Sequence, residues 1–420
     1  MTSEAEVVIV GGGAAGIAAG RRLHDAGVDC LLVEARSRLG GRAFTVRAGP
    51  DFPIDLGCGW LHSADRNPWT TIAVAQGRTI DKTPPPWLRL SMPIGFPLAE
   101  QTSFLKALEA FRARLDSASD GISDVAAARF LEPGGRWNDL INAVGTYVSG
   151  AELDRVSALD YGRYEDSGMN WRVVEGYGTT IAAHAADVPV ALGAPARRID
   201  HGGRRLRVET SDGTIMSDAV IVTVPTDVLA QEGLRFTPAL PDKIDAAAGL
   251  PLGLADKLFL SLSDAGDFDK DARLFGRHDR SGTATYHVRP FGRPMIEGYF
   301  GGRLAAELEA DGDGAFLDFA RTELVGLLGS AFARHIQLIH IHRWKADPFA
   351  RGSYSYALPG KAECRAVLAA PVDDRLFFAG EACSRHSYST AHGAYLTGIA
   401  AAEQMIELRR SRLRDSALRS

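Results

Sequence analysis

The stretch Val7-Val8-Ile9-Val10-Gly11-Gly12-Gly13-Ala14-Ala15-Gly16 opens the chain with an apolar run, a glycine turn and the beginning of a helix. A second apolar run ends at Glu34, eighteen positions after Gly16. Gly11 permits the tight turn, Gly13 lets backbone approach a pyrophosphate, and Gly16 lets the helix pack closely on the sheet. Free N–H groups at a helix N-terminus favour phosphate, and an acid at this distance suits a ribose. The pattern therefore predicts a strand–turn–helix–strand unit that binds a dinucleotide, either NAD or FAD.

The composition is that of an ordinary soluble globular protein. The 420-residue chain is 45% hydrophobic and 24% charged, and its length favours two domains. A net charge of −5 gives no reason to expect nucleic-acid binding, because nucleic-acid binders carry basic faces. No apolar run approaches the roughly 20 residues of a membrane span, and the N-terminus leaves no room for a signal peptide. The four cysteines are scattered without a C-x-x-C pair, so we expect neither a metal site nor disulfides, and predict a cytoplasmic protein.

Two loops after the first unit are suited to a bound dinucleotide. A basic, glycine-containing loop spans 35–42 directly after Glu34, and its arginines can reach phosphates from the side opposite the helix. In 54–62, small residues surround Trp60, which is typical of backbone that passes close to a flat ligand. Both loops are therefore predicted to belong to the ligand-binding region.

Beyond these loops the chain alternates between sheet-like and helical segments. Residues 97–160 have helical periodicity. Residues 205–225 indicate a hairpin that feeds a buried strand of the first sheet. A second excursion, 250–343, contains further strands and a helix over 305–328, and a long helix begins near Gly393. The alternation predicts two units, each assembled from separated segments.

Seven blocks of the sequence resemble, in order, the flavin-containing amine oxidase family, which includes monoamine oxidases, polyamine oxidases and histone lysine demethylases. The blocks are 8–16, 34–42, 55–62, 222–225, 253–257, 344–348 with 352–355, and 378–381 with 390–398. The resemblance implies that the dinucleotide is FAD. Ser353 stands where monoamine oxidases attach the flavin through a cysteine, so we expect the FAD to be non-covalent.

The resemblance also implies the fold class, an α/β protein with two discontinuous domains. A Rossmann-like FAD-binding domain would comprise 1–80, 190–249 and 344–420. An α+β substrate-binding domain, with a mixed sheet and helices, would comprise 81–189 and 250–343. The same alternation follows from the chain pattern alone.

Contacts to the cofactor are implied along most of the matched blocks. Glu34 would hold the adenosine ribose, Ala196 would meet the adenine through its backbone, and Glu381 would hold the ribityl side. Ala391 would offer its backbone N–H to the flavin pyrimidine, where a helix N-terminus stabilises the negative charge of a reduced flavin. The implied cofactor-binding residues are Gly11, Gly13, Ala14, Ala15, Gly16, Glu34, Ala35, Arg36, Gly41, Arg42, Gly57, Cys58, Gly59, Trp60, Ala196, Trp344, Gly380, Glu381, Thr390 and Ala391.

The resemblance implies a catalytic set of Lys257, Trp344, Tyr354, Thr390 and His62. Lys257 occupies the position of a family lysine that contacts the flavin through water, and burial there would disfavour its charged form. Tyr354 matches one ring of the aromatic slot of monoamine oxidases, whereas Thr390 replaces the other ring, as in the demethylase branch. His62 follows a pattern of some polyamine oxidases, in which a histidine lies near the substrate channel.

The predicted function is FAD-dependent oxidation of a primary or secondary amine, polyamines included, to an imine, with O2 reduced to H2O2. Glu165 and Asp166 are candidates for attracting a distal ammonium, although exposed turn charges explain them equally well. A flavin-dependent desaturase or dehydrogenase and a catalytically silent flavoprotein module remain alternatives, as does a homodimer. An L-amino-acid oxidase would need an arginine to clamp a carboxylate, and the candidates are Arg89, Arg163, Arg172 and Arg289.

Overall fold

A computed structural model describes residues 3–48, 52–118, 123–266 and 268–417. Its strands are β1 (Val7–Val10), β2 (Cys30–Val33), β3 (Thr45–Ala48), β4 (Phe52–Asp55), β5 (Ile80–Asp81), β6 (Arg172–Val173), β7 (Val190–Ala191), β8 (Ala196–Asp200), β9 (Leu206–Thr210), β10 (Gly213–Ser217), β11 (Ala219–Val222), β12 (Arg235–Thr237), β13 (Leu252–Gly253), β14 (Ala255–Leu262), β15 (Ala272–Phe275), β16 (Thr285–Val288), β17 (Met295–Gly301), β18 (Ile336–His342), β19 (Tyr354–Ser355) and β20 (Leu376–Phe378). Its α-helices are α1 (Ala14–Asp25), α2 (Pro68–Ala75), α3 (Leu98–Ala118), α4 (Asn138–Ser149), α5 (Ala158–Gly162), α6 (Tyr177–Ala183), α7 (Thr226–Ala230), α8 (Pro241–Ala248), α9 (Gly302–Asp311), α10 (Asp313–Leu328), α11 (Cys364–Ala369) and α12 (Ala391–Ala417).

A parallel five-stranded sheet, in the order β20-β11-β1-β2-β7, carries the first motif. The strands β1, β2 and β11 are apolar and buried throughout, as in a sheet covered on both faces. The predicted strand–turn–helix–strand unit is confirmed, and the chain returns to the same sheet when β11 pairs with β1. Helices α1 and α12 pack together along this sheet. Because its strands come from separated parts of the chain, the sheet brings the matched blocks together.

The predicted hairpin over 205–225 is confirmed as β9 and β10. Its turn is Ser211-Asp212, one residue before the predicted Asp212-Gly213, because Gly213 already pairs with Thr210. These strands belong to a four-stranded sheet in the order β10-β9-β8-β12. Apolar side chains of β8, β9 and β10 share a hydrophobic core with β1, β2 and β11. The domain boundaries given above remain a prediction.

A second five-stranded sheet, in the order β15-β16-β17-β14-β18, forms the wall of the other half of the molecule. Its strands pair antiparallel throughout, rather than as the mixed sheet predicted. β15, β16 and β17 follow one another along the chain, whereas β18 joins the other edge of β14 only after α9 and α10. The helix predicted over 305–328 is two helices, α9 and α10. The chain breaks at Gly312, whose φ of 94° lies in the left-handed region that favours glycine.

The helices of the described ranges include none that is long and apolar enough to cross a membrane.

One face of the antiparallel sheet packs on α9 and α10 through aromatic side chains such as Phe300 and Phe316, whose rings lie 5.2 Å apart. The opposite face carries polar residues at alternate positions of β14 and β17. Those polar residues face a large cavity.

Candidate active site

One cavity of about 1470 Å³ runs from the glycine turn after β1 to the antiparallel sheet. Its volume exceeds the roughly 300–1,000 Å³ of a pocket for one small ligand. Every residue of the implied cofactor-binding and catalytic sets lines it except Gly16. An added Cβ at Gly16 would lie 1.9 Å from the carbonyl oxygen of Gly11, so this glycine lets α1 pack behind the turn. The sequence therefore identified residues that line the cavity, while the role of each residue remains a prediction.

The turn itself is braced from the neighbouring strand. Gly11 has a φ of 111°, and the Thr223 hydroxyl donates to the carbonyl oxygens of Val10 and Gly11 at 3.0 and 2.9 Å. An added Cβ at Gly13 would meet no atom within 4 Å, so the space above this residue is open. The first turn of α1, whose N–H groups lack intrahelical acceptors, lines the cavity at Ala14. This arrangement is suited to a pyrophosphate.

Glu34 is buried, and its carboxylate organises the loop beside it. It accepts from the N–H of Gly12 at 2.6 Å and from the N–H of Arg36 at 2.8 Å. The Arg36 guanidinium donates to Asp347 at 2.7 Å and therefore joins the first block to the 344–348 block. The predicted ribose acid and its arginine neighbour thus lie together on the cavity wall.

Arg42 and Glu381 form a second ion pair across the cavity wall, at 2.9 Å. The Glu381 carboxylate also accepts from the Ser355 hydroxyl at 2.6 Å and the Ser389 N–H at 2.9 Å. Burial would raise the pKa of Glu381, but Arg42 and these hydrogen bonds hold it below its ordinary value. The carboxylate is therefore a fixed anion that ties β20 to the loop before α12.

Lys257 lies on β14 with its ammonium against the other end of the cavity. Its Nζ contacts Glu297 at 3.0 Å and the carbonyl oxygen of Asp55 at 3.0 Å. Nζ would lie 3.4 Å from a Cβ added at Gly59, in the loop predicted to run beside the flavin. Burial alone would lower the pKa of Lys257, yet Glu297 and neighbouring groups raise it. Burial thus disfavours the charged form as expected, but the carboxylate on the adjacent strand outweighs it and the net pKa shift is upward.

The partner of Tyr354 is Tyr299, a residue that the sequence did not single out. Their hydroxyl oxygens are 3.1 Å apart, and the Tyr354 hydroxyl also donates to the carbonyl oxygen of Tyr147 at 2.5 Å. The Tyr147 and Tyr299 rings meet edge to face at 5.9 Å. All three tyrosines line the cavity. Alternation along β17 places Glu297 and Tyr299 on one face, and this alternation is the sequence pattern that could have identified Tyr299 as a site residue.

Thr390 and Trp344 also line the cavity. The Thr390 hydroxyl accepts from the Gly393 N–H at 3.0 Å and donates to the Ser387 carbonyl oxygen at 2.6 Å, so it caps α12. Trp344 is buried, and its indole N–H donates to the Leu56 carbonyl oxygen at 3.3 Å. The α12 N-terminus begins at Ala391, as predicted within two residues.

His62 lines the cavity, and of the two candidate acids only Asp166 does so. The His62 Nδ1 lies 2.6 Å from the Asn170 side-chain oxygen, and burial lowers its pKa below the ordinary value. Asp166 lines the cavity, but its carboxylate accepts from Ser63 and from the Gly168 N–H. Glu165 is exposed and pairs with Arg66 at 3.8 Å.

These residues fit FAD. The open space at Gly13, the start of α1 and the buried carboxylate of Glu34 would hold the adenosine diphosphate portion, as a dinucleotide site requires. The same cavity continues to the loop at Gly59, to Trp344 and Lys257, and to the start of α12, residues that would line the flavin end of the site.

The combination of a dinucleotide turn with a buried lysine and an aromatic cluster defines a flavin-dependent oxidoreductase. Residues 96–406 match the family model for flavin containing amine oxidoreductase, and residues 9–75 match an NAD(P)-binding Rossmann-like domain. The chain belongs to the flavin-containing amine oxidase family. It is an FAD-dependent oxidoreductase that acts on amines.

Named relatives fall in two groups. The chain is 29% identical to polyamine oxidase 2 of Arabidopsis thaliana, over 96% of this chain and 88% of the relative. It is 30% identical to polyamine oxidase 5 of Oryza sativa subsp. japonica, over 96% and 87% of the two chains. It is 27% identical to lysine-specific histone demethylase 1 homolog 2 of the same plant, but covers only 58% of that protein.

Proposed function

We propose that the protein oxidises a primary or secondary amine to an imine and that O2 accepts the electrons, giving H2O2. The observation that carries this proposal is the meeting of a buried ammonium, two paired tyrosines and a dinucleotide turn on one cavity. FAD supplies the two-electron acceptor when it is bound. The protein then has to bind, orient and desolvate the amine.

Lys257 would keep the bound amine in its neutral form. Its own charge is maintained by Glu297, and a fixed cation disfavours a second ammonium nearby. Only the neutral amine has the lone pair that oxidation of its α-carbon requires. We propose that Nζ also acts as a proton donor to negative charge that develops in the cavity.

Tyr299 and Tyr354 would position the amine carbon chain. Their rings line the cavity, and their hydroxyls are committed to each other and to the backbone. The faces of such fixed rings offer apolar contact at little cost in conformational entropy. Two aromatic side chains are therefore available, although the sequence predicted only one.

The test is anaerobic bleaching of the flavin absorbance across a panel of alkylamines, diamines, polyamines and amino acids, followed by admission of air. We expect bleaching by at least one amine, and stoichiometric peroxide when air enters. Lys257→Met should retain FAD but slow bleaching or reoxidation by at least about tenfold. Lys361→Met, an exposed lysine outside the cavity, is the matched control and should behave as wild type. A flavin-loaded protein that no amine bleaches would refute the proposal.

A further inference from the structure

An arginine on the substrate side of the cavity has no anionic partner among the residues that the structure describes. Arg273, on β15, lines the cavity, and its Nε–H donates to the Thr285 hydroxyl at 3.0 Å. Its guanidinium stacks on the Phe275 ring at 4.2 Å. Within the described residues, no carboxylate lies within 4.0 Å of it, and its terminal NH2 groups donate to no protein acceptor.

The four arginines that the sequence offered as carboxylate clamps are already engaged. Arg163 pairs with Glu363 at 2.6 Å, and Arg172 pairs with Asp81 and Asp271 at 2.7 and 2.9 Å. Arg89 donates to the carbonyl oxygen of Asp271 at 2.8 Å, and Arg289 donates to that of Phe268 at 2.6 Å. The structure thus directs attention to an arginine that the sequence did not single out.

An enclosed guanidinium without a counter-ion is unfavourable. Burial lowers the pKa of Arg273 to about 10, so the group remains charged at neutral pH. A cation removed from water is stabilised when it meets an anion, and the planar guanidinium matches a carboxylate through two parallel hydrogen bonds. The two free NH2 groups supply those donors.

The sheet register places Arg273 at a defined distance from the reacting end. Thr285, its hydrogen-bond partner, pairs with Tyr299, and Tyr299 pairs with Lys257 on the next strand. Two strand spacings separate Lys257 from Thr285, roughly 10 Å. An anion held at Arg273 would therefore be several bonds away from an amine carbon held beside Lys257 and Tyr354.

Resting on the proposed function, we infer that the physiological substrate is an amine with a carboxylate at the far end of a spacer, and that Arg273 binds this carboxylate. Two further arginines, Arg89 and Arg112, are exposed on the same cavity and favour the approach of an anion. A polyamine would bring a second ammonium toward Arg273 instead. Arg273 is thus a specificity-determining residue.

The experiment compares ω-amino carboxylates of increasing length with n-alkylamines and α,ω-diamines of the same length, using the FAD-loaded enzyme. For the best spacer, kcat/KM should exceed that of the matched alkylamine and diamine by about 30-fold or more. Arg273→Gln should remove this preference, mainly through KM, and leave alkylamine oxidation within about threefold. Arg273→Lys should restore part of it. Arg277→Gln, in the same hairpin but outside the cavity, is the matched control.

A second measurement does not depend on turnover. Straight-chain monocarboxylates, titrated by calorimetry into the FAD-loaded protein, should bind wild type and Arg277→Gln but not Arg273→Gln. Equal binding to all three proteins would overturn the inference, as would diamines that outperform amino carboxylates. If no amine bleaches the flavin while carboxylates still bind through Arg273, the proposed function fails and the anion site stands. If alkylamines are oxidised without any preference for a carboxylate, the inference alone fails.

Discussion

The two halves of the cavity differ in how far the protein itself neutralises the charges on the wall. In the cofactor half, Arg36 pairs with Asp347 and Arg42 pairs with Glu381, so the protein itself neutralises the ions on the wall. In the substrate half, Arg273 has no anionic partner within the described residues and faces aromatic rings. The ion pairs of the cofactor half therefore brace its loops, whereas Arg273 in the substrate half is left for the ligand to neutralise.

The difference follows from what each half has to recognise. A dinucleotide offers hydroxyl and phosphate groups that backbone N–H groups can bind, so side-chain charges are free to brace the loops. An amine substrate is small and has few polar groups, so the protein must keep a side chain unpaired to bind each of them. The predictions below test this contrast, beginning with the largest expected effect.

Gly16→Ala should abolish FAD retention. The new Cβ would lie 1.9 Å from the carbonyl oxygen of Gly11, so the turn would have to open and the start of α1 would move. We expect the purified variant to have no visible flavin absorbance and a lowered Tm. Gly326→Ala is the matched control, because its Cβ meets no atom within 4 Å inside α10.

If Gly16→Ala retained a full complement of FAD, close packing behind the turn would not be what shapes the cofactor half. Gly13→Ala separates the two causes, because its Cβ meets no protein atom within 4 Å. This variant should fold with the Tm of wild-type apoprotein and still bind FAD more weakly. Weak binding without loss of stability would show that the open space belongs to the ligand.

Glu297→Gln should make catalysis sensitive to alkaline pH. In the wild type, Glu297 raises the pKa of Lys257 above its ordinary 10.5, so Nζ remains charged through the neutral and moderately alkaline range. Without this carboxylate, burial is opposed less fully, so the pKa of Lys257 falls and Nζ loses its proton at a lower pH than in the wild type. We expect the ratio of variant to wild-type kcat/KM for an alkylamine to fall by roughly tenfold between about pH 7 and 9.5.

Expressing the result as a ratio removes the titration of the amine itself, which is common to both enzymes. Glu297→Asp retains the charge and should keep the ratio nearly flat. A flat ratio for Glu297→Gln would mean that the charge on Lys257 plays no part in turnover. The Lys257–Glu297 pair in the substrate half would then have no role in the chemistry.

Sequence patterns located the cofactor half better than the substrate half for a physical reason. The glycine turn and the acid after β2 are local patterns, and a local pattern is sufficient to fix a strand, a turn and a helix. Arg273, Glu297 and Tyr299 depend instead on how β15, β16 and β17 pair with one another and with β14, which precedes all three. That pairing is set only in the folded sheet.

The expected pKa of Lys257 shows the same limit. Burial was inferred correctly from the block around 253–257, and the side chain is 9% exposed. The compensating carboxylate comes from β17, which pairs with β14 only in the fold. The direction of the pKa shift therefore could not be deduced from either segment alone.

Tyr299→Phe should have the smallest effect. The change removes the 3.1 Å contact to the Tyr354 hydroxyl but keeps the ring, and Tyr354 retains its hydrogen bond to the Tyr147 carbonyl oxygen. A hydrogen bond of this kind contributes about 1 kcal/mol, so kcat/KM for an alkylamine should fall by roughly fivefold or less. Tyr299→Leu, which removes the ring, should cost several times more. Equal losses in the two variants would mean that the hydroxyl, and not the aromatic face, positions the substrate, and the substrate half would then depend on fixed polar contacts in the way that the cofactor half does.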